Sequence, residues 1–335
     1  MNLAIVGCSG MGRVHAEMAA NCGVNIVVCA DKSKEAATAL AATCGADVST
    51  NAKRALARKD VDTVLIATPT PFHLDYIKAA AKAGKNIFCE KPFCRTVAEC
   101  KEAIAVAKAA KVKLFVGHVV RYFQEFEAIR EQVQAGKIGE PGFCKIYRGG
   151  IFPGGPKSWF ANYKMSGGVT LDCMIHDLDW IRYVFGEPQR IYCQALMRTK
   201  PAPMDYSQVT MRMKSGLIAT VIGTWAHPQG FRVKAEVCGD GGMLQFDSAE
   251  APLNSMVRDT GNGPSMIVPG SPVDKSPYQY EWEDFIAWVE TGRKPKVTAM
   301  DGLKAVKMAE AALESAATGK PIRLLGEAIR RIDND

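Results

Sequence analysis

The first segment of this chain constrains its fold more than any other. An apolar run, Leu3 to Val6, leads into Gly7-Cys8-Ser9-Gly10-Met11-Gly12. A helix-like stretch follows, and a second apolar run, Asn25 to Ala30, ends at Asp31. A strand that turns on glycine into a helix and returns as a strand closed by an acid is the pattern of a dinucleotide-binding βαβ unit. Gly7 suits the tight turn, and Gly12 lets the helix pack on the strand. Ser9 stands where that pattern has its second glycine, and Gly10 beside it keeps the loop pliable. Met11 opens a helix whose free N–H groups and positive end would face a pyrophosphate. Asp31, 19 residues after Gly12, is placed to accept hydrogen bonds from an adenosine ribose. Its charge would repel a 2′-phosphate, so NAD is the expected cofactor. Lys32 and Lys34, just beyond, keep NADP open.

The same alternation continues to about residue 120. Apolar runs recur at Thr63 to Ala67, Asn86 to Cys89 and Lys113 to Val116. Alanine- and lysine-rich stretches with helical periodicity lie at Ser33 to Cys44, Phe72 to Ala83 and Val97 to Ala110. This predicts a doubly wound parallel sheet, a Rossmann domain over residues 1–120. After Gly117 the character changes. Strand-like segments at Gly142 to Arg148, Arg190 to Met197, Gln208 to Met213, Ile218 to Thr224 and Arg232 to Val237 follow one another with turn signals between them. They predict an α+β domain over residues 121–335 with a largely antiparallel open sheet. One helix is expected from Val169 to Phe185 and a last one from Asp301 to Ala317, the latter packing back on the first domain. Ser248 to Ser276, rich in Pro, Gly, Ser and Asn, reads as a surface excursion.

A chain of 335 residues is long enough for two cores. Its net charge of +7 is spread along helix-like stretches and forms no basic stripe, so a nucleic-acid partner is not expected. No apolar run approaches the ~20 residues that span a bilayer. No basic segment precedes an apolar one at the start, so neither a leader nor a membrane partner is expected. The 11 cysteines form no Cys-x-x-Cys pair and several fall inside apolar runs. They read as reduced, buried thiols, and a cytoplasmic location is expected. With 5 histidines and no His-x-x-x-His or His-Glu-x-x-His motif, no metal is expected.

Ends of parallel strands are where ligands bind in open α/β sheets. That puts Thr68, Pro69 and His73 after the run Thr63 to Ala67, and Glu90 and Lys91 after the run Asn86 to Cys89, on the expected cofactor edge. Position alone fits two readings of Lys91, a group beside the nicotinamide or a snorkelling surface lysine. In the segment Gly167 to Asp179, Asp172 and His176 are four apart and would share a helix face. An imidazole held by a carboxylate is a general base near neutral pH, and a surface ion pair fits the spacing equally well. Arg121, in Val116 to Phe123, either lines a ligand site or caps the domain junction. Trp159 and Trp225, with Lys157, Asn162 and Tyr163, are sugar-contact candidates, and core packing is the alternative for the two indoles.

Together these motifs resemble the glucose–fructose oxidoreductase, inositol dehydrogenase and rhizopine-catabolism family. The likeness rests on the glycine turn with His15, on Ala67 to His73, on Glu90-Lys91-Pro92, on the Gly167 to Asp179 segment, and on the closing helix with Thr318-Gly319-Lys320-Pro321. The resemblance implies a dehydrogenase acting on a secondary alcohol of a sugar or cyclic polyol. It makes His176 the acid/base, Asp172 the group that orients substrate, and Lys91 a partner of the reacting hydroxyl and the nicotinamide. Arg121 and Trp159 join Asp172 and His176 as candidate substrate contacts, and the resemblance implies a homodimer or homotetramer as the assembly. Two alternatives differ in what the cofactor does. One is an enzyme whose tightly held NAD oxidises a sugar transiently to permit elimination or glycoside cleavage. The other is a non-catalytic sensor of NAD(H).

Overall fold

The structure, a computed structural model, describes residues 1–154, 157–198, 204–250, 275–325 and 328–331. It divides into two compact units.

The first unit is Met1–Tyr122 together with Val273–Leu303. Its six strands are β1 (Asn2–Val6), β2 (Asn25–Ala30), β3 (Asp47–Ser49), β4 (Thr63–Ile66), β5 (Asn86–Glu90) and β6 (Leu114–Gly117). They pair in parallel in the order β3-β2-β1-β4-β5-β6, the order of a dinucleotide-binding sheet. β1, β4, β5 and β6 are buried along almost their whole length, which is why they read as unbroken apolar runs. The crossover helices are α1 (Met11–Asn21), α2 (Lys34–Cys44), α3 (Ala52–Leu56), α4 (His73–Lys82) and α5 (Val97–Ala109). Ser33 and Asn51 cap α2 and α3, and Thr96 with Glu99 forms a reciprocal capping box on α5, each supplying a partner to an otherwise unmet N–H.

The second unit is Phe123–Pro272 with Lys304–Asp335. It opens with α6 (Gln124–Gln134), and its sheet begins with β7 (Pro141–Ile151). Three helices follow, α7 (Tyr163–Ser166), α8 (Gly168–Asp172) and α9 (Ile175–Phe185). The sheet continues with β8 (Pro188–Arg198), β9 (Met204–Met213), β10 (Ile218–Thr224), β11 (Ala226–Gly239) and β12 (Gly242–Asp247). The chain then forms α10 (Pro277–Thr291) in the first unit, and α11 (Ala299–Thr318), inside which the unit boundary falls. β13 (Ile322–Leu325) and β14 (Ala328–Arg331) complete an eight-stranded sheet in the order β12-β11-β7-β10-β9-β8-β13-β14. All its pairs are antiparallel except β10 with β7. Its inward residues, among them Cys193, Val209, Val221 and Ala235, are buried. Tyr192, Leu196 and Tyr206 on the other face remain exposed.

Two expectations need correction, and a third falls mostly outside the described residues. The segment predicted as one helix from Val169 to Phe185 is two, α8 and α9, broken at Cys173 and Met174. Met174 is fully buried beside Gly223 of β10, where a Cβ would meet its side chain at 2.3 Å. The Val169 carbonyl accepts from both Cys173 and Met174 N–H, a widened turn that lets Met174 point inward. Second, residues 121–335 do not all belong to the second unit. The first unit takes back a segment that includes the whole of α10, a helix not expected from the sequence. Third, most of the expected surface excursion, Ser248 to Ser276, lies outside the described residues, as does the end of the Phe152 to Pro156 loop. No helix among the described residues is long and apolar enough to cross a membrane.

Candidate functional site

In the first unit the chemistry gathers at the C-terminal edge of the parallel sheet. Gly7 leaves β1 with φ +98°, and a Cβ there would lie 2.5 Å from the Ala67 carbonyl oxygen. At Gly12 a Cβ would lie 1.9 Å from the Gly7 carbonyl oxygen. Both glycines are therefore dictated by close backbone approach. The departure at Ser9 also has an explanation. The positive φ of the loop, +42°, falls on Gly10, around which a Cβ would meet nothing within 4 Å. The conformational freedom has moved one residue along, and Ser9 needs none. Its carbonyl accepts from Gly12 N–H at 2.8 Å. Met11 begins α1, and no side-chain hydrogen bond caps that helix.

Asp31 follows β2, and its carboxylate ties the turn together. Oδ2 accepts from Cys8 N–H at 2.8 Å and Oδ1 from Ser33 N–H at 2.9 Å. The acid expected to face a ribose thus also sets the shape of the glycine loop. Beside it, the Lys32 ammonium sits 4.6 Å over the ring of Phe72. After β4, the Thr68 hydroxyl oxygen is sealed from solvent and has no hydrogen-bond partner among the described residues. These residues fit a dinucleotide: an uncapped helix start, an open backbone at Gly10, a carboxylate on the ribose side and an orphan hydroxyl at the same sheet edge.

His73 and Glu90 require a correction. Their positions in the sequence predict contact with the cofactor, but the structure turns them inward. His73 is buried, with Nε2 2.8 Å from the Thr68 carbonyl and Nδ1 3.0 Å from that of Pro92. Burial holds its pKa below the ordinary histidine value, although the surrounding carbonyls pull the other way. Glu90 is buried too. Its Oε1 lies 2.6 Å from His15 Nε2, and its Oε2 accepts from Lys91 N–H at 2.8 Å. Burial pushes this carboxyl up. The His15 bond, the charge of Lys91 and the Lys91 N–H outweigh that and leave its pKa below the usual carboxylate range. His73 and Glu90 therefore build the turn that carries Thr68, Pro69, half-buried Lys91 and the cis Lys91–Pro92 peptide. Arg121 is corrected as well. It is 2% exposed, donates to the Lys296 carbonyl at 2.9 Å and lies 3.2 Å from Asp301. It holds the returning segment through these bonds.

In the second unit, Asp172 is the last residue of α8, and His176 lies in the first turn of α9. The break between the helices removes the premise that a four-residue spacing puts them on one helix face, but both side chains remain half-buried. Their neighbours are fixed by buried partners. Arg148 grips Asp177 with two bonds of 2.8 and 2.6 Å. Asp179 is buried 3.8 Å from Arg182. Trp159 opens a short 3-10 turn and packs on Phe160 with ring centroids 4.1 Å apart. Trp225 is buried, with Phe160 at 5.7 Å and Phe152 at 5.4 Å.

Sequence patterning gives no sign of Asp205, Tyr278, Glu281 or Trp282. Ser276-Pro277 before α10 and Gly292 after it signal that helix, but nothing local says that it returns to the first sheet.

Comparison with known proteins identifies the family. Residues 1–118 match the family described as oxidoreductase family, NAD-binding Rossmann fold, and residues 126–245 match the GFO/IDH/MocA C-terminal domain. An inositol 2-dehydrogenase from Rhizobium meliloti is 32% identical, over 96% of this chain and 98% of that one. A scyllo-inositol 2-dehydrogenase (NAD(+)) from Bacillus subtilis is 28% identical, over 96% and 95%. The crystal structure of a myo-inositol dehydrogenase from Corynebacterium glutamicum superposes with a TM-score of 0.81 at 26% identity, over 97% of this chain and 99% of that one.

Proposed function

The chain belongs to the Gfo/Idh/MocA family of oxidoreductases, and from that premise we propose that it oxidises a secondary alcohol of a cyclic polyol, an inositol first, with NAD preferred over NADP. The enzyme class, an oxidoreductase acting on CH–OH groups with an NAD-binding Rossmann domain, comes with the family. The relatives named for inositols support the substrate class. The observation that carries the cofactor preference is Asp31, a carboxylate held at the ribose end of the glycine turn by Cys8 and Ser33 N–H.

Gly7, Ser9, Gly10, Met11 and Gly12 would hold the pyrophosphate, Asp31 the adenosine ribose, and Thr68, Pro69 and Lys91 the rest of the dinucleotide. When bound, the nicotinamide supplies the carbon that accepts hydride. His176 takes the hydroxyl proton on its imidazole, and Asp172 orients the polyol. The Lys91 ammonium steadies the oxygen as negative charge develops on it. General-base catalysis of this kind contributes about 10²–10⁴-fold, and a positioned cation adds electrostatic stabilisation. Trp159 offers an aromatic face to the apolar side of a ring. The exposed face of the large sheet, with Tyr192, Leu196 and Tyr206, supports a homodimer or homotetramer, which light scattering after gel filtration tests.

The deciding experiment titrates the purified protein with NADH and NADPH by nicotinamide fluorescence. Tighter NADH binding, abolished in Asp31→Arg, is the expected result. Turnover of myo- or scyllo-inositol with NAD, lost in Lys91→Ala and His176→Ala, then tests the chemistry. Binding of neither nucleotide by protein free of resident cofactor overturns the reading.

A further inference from the structure

Asp205 has no role in the chemistry described so far, yet it bonds the helix that ends in Asp172, the group assigned to orient substrate. It is fully buried near the start of β9. Its Oδ2 accepts from Val169 N–H, in the first turn of α8, at 2.7 Å. Its Oδ1 is buried and has no partner among the described residues. Its main-chain carbonyl accepts from Trp225 N–H at 2.8 Å and from the Thr224 hydroxyl at 3.0 Å. One residue thus joins the helix that ends in Asp172 to the strand end that carries Trp225.

The surrounding sequence is shaped to this contact. Gly168 has φ +63°, and a Cβ there would lie 2.4 Å from Asp205 Oδ2 and 2.1 Å from the Tyr163 ring. Only glycine lets the carboxylate reach the helix. Two residues along β9, Ser207 accepts from the Thr170 hydroxyl at 2.8 Å, so α8 is fastened to one strand at two successive inward positions. A carboxylate accepting a backbone N–H in a dry setting makes a strong, directional bond. Retaining a fully buried carboxyl with one oxygen unmet costs stability, and an apolar residue would fill the space without that cost.

We propose that Asp205 is a positioning residue, which fixes α8 and hence Asp172 against the strand bearing Trp225. The inference rests on the reading of Asp172 as a substrate group. A pH dependence follows. Burial pushes the Asp205 carboxyl up to about 6, against the pull of Val169 and Tyr206 N–H. The titratable side chains packed around it are Cys193 and Tyr163, and the charge on Asp205 helps raise the Cys193 thiol. As pH falls through about 6 the carboxylate is protonated and its bond to Val169 N–H loses the charge assistance while keeping an acceptor, so the hold on α8 weakens without breaking.

The test compares Asp205→Ala and Asp205→Asn with the unaltered protein in two measurements. The first is hydrogen exchange of residues 167–173, and the second is kcat and KM for myo-inositol with NAD from pH 5 to 9. Asp205→Ala is expected to speed exchange in that segment and to lower kcat/KM about 100-fold, the scale of an ångström-sized misplacement. NADH affinity should stay within about twofold, since that site belongs to the other unit. Asp205→Asn, which keeps an acceptor but not the charge, should match the low-pH state of the unaltered protein, with exchange and activity between those of Asp205→Ala and the ionised form, and should flatten the inflection near pH 6 in the protection of residues 167–173. If Asp205→Ala leaves the exchange of 167–173 unchanged, or if Asp205→Asn keeps the inflection, the positioning role is overturned. If myo-inositol is not turned over at all, the substrate reading fails, while the exchange data still decide the anchoring.

Discussion

Trp282 Nε1–H donates to His15 Nδ1 at 3.0 Å, across 267 residues of chain. An indole can only donate, so Nδ1 of the neutral imidazole is the acceptor and its proton sits on Nε2. That proton faces Glu90 Oε1, and Glu90 Oε2 in turn receives Lys91 N–H. A helix from the far end of the chain thereby sets the tautomer of a histidine on α1, and through it the carboxylate that shapes the Lys91 turn.

Trp282→Phe tests this relay. The ring stack on Phe88, with centroids 4.7 Å apart, survives the change, while His15 Nδ1 loses its donor. A buried acceptor left unmet costs about 1–3 kcal/mol. Chemical denaturation should register that loss, and kcat should fall more than NADH affinity as the Lys91 turn loosens. An unchanged unfolding midpoint would remove the relay from the stability argument.

Glu281 predicts how stability varies with pH. It is fully buried, and neither carboxyl oxygen has a partner among the described residues. Burial, with the nearby charges of Glu90 and Asp284, pushes its pKa well above the usual carboxylate value. Folded protein therefore keeps this proton at pH values where unfolded chain has released it, so stability falls as pH rises above the unfolded pKa of about 4.3. Glu281→Gln removes this contribution. Relative to the unaltered protein it should gain steadily between pH 5 and 8, by about 1.4 kcal/mol for each pH step of one over which only the folded chain holds the proton. Parallel urea titrations across that interval would show the divergence, and a constant offset would count against a neutral Glu281.

Gly12→Ala should disable the dinucleotide turn. The added methyl meets the Gly7 carbonyl oxygen, a backbone atom, at 1.9 Å, so α1 must move off the strand. NADH binding should weaken at least tenfold and thermal stability should drop. Gly23→Ala is the comparison. It carries a positive φ, +76°, where Gly12 is helical, but a Cβ there meets nothing within 4 Å, so its cost is confined to backbone strain of about 1–2 kcal/mol.

The Arg148–Asp177 pair should be worth far more broken than absent. Arg148→Met leaves a fully buried carboxylate uncompensated, at a cost of about 3–5 kcal/mol. Replacing both, Arg148→Met with Asp177→Leu, should recover most of that loss. Denaturation of the two single variants and the double variant gives the coupling directly, and additive losses would contradict the pairing.

The extent to which each unit can be read from sequence follows the range of the forces involved. Parallel strands buried on both sides announce themselves as apolar runs, and the turn at Gly7 and Gly12 is fixed by contacts within a few residues. Five of the first sheet's six strands are disclosed this way, while β3, three residues with two of them exposed, makes no apolar run and is missed. Residue types in the candidate site are readable, but their orientation is not. His73, Glu90 and Arg121 look like ligand groups until their partners are known, and those partners (the Pro92 and Thr68 carbonyls, His15, Lys296) are distant in sequence or lie on the main chain. The break at Met174 depends on Gly223, on another strand, and spacing cannot disclose it. Asp205 and Trp282 carry no local motif at all, because their roles exist only once β9 meets α8 and α10 meets α1.

The path of the chain through its first unit bears on how the protein is made. The six-stranded sheet is complete by Gly117, yet the unit is closed by residues up to Leu303. During synthesis the nucleotide-binding half must wait, with His15 and the face that receives Phe285 and Trp282 uncovered, while the whole antiparallel sheet emerges from the ribosome. Exposed apolar surface of this kind is where nascent chains aggregate. A chain halted before α10 should therefore be held by chaperones or lost to aggregation, although it already contains every strand of its dinucleotide-binding sheet.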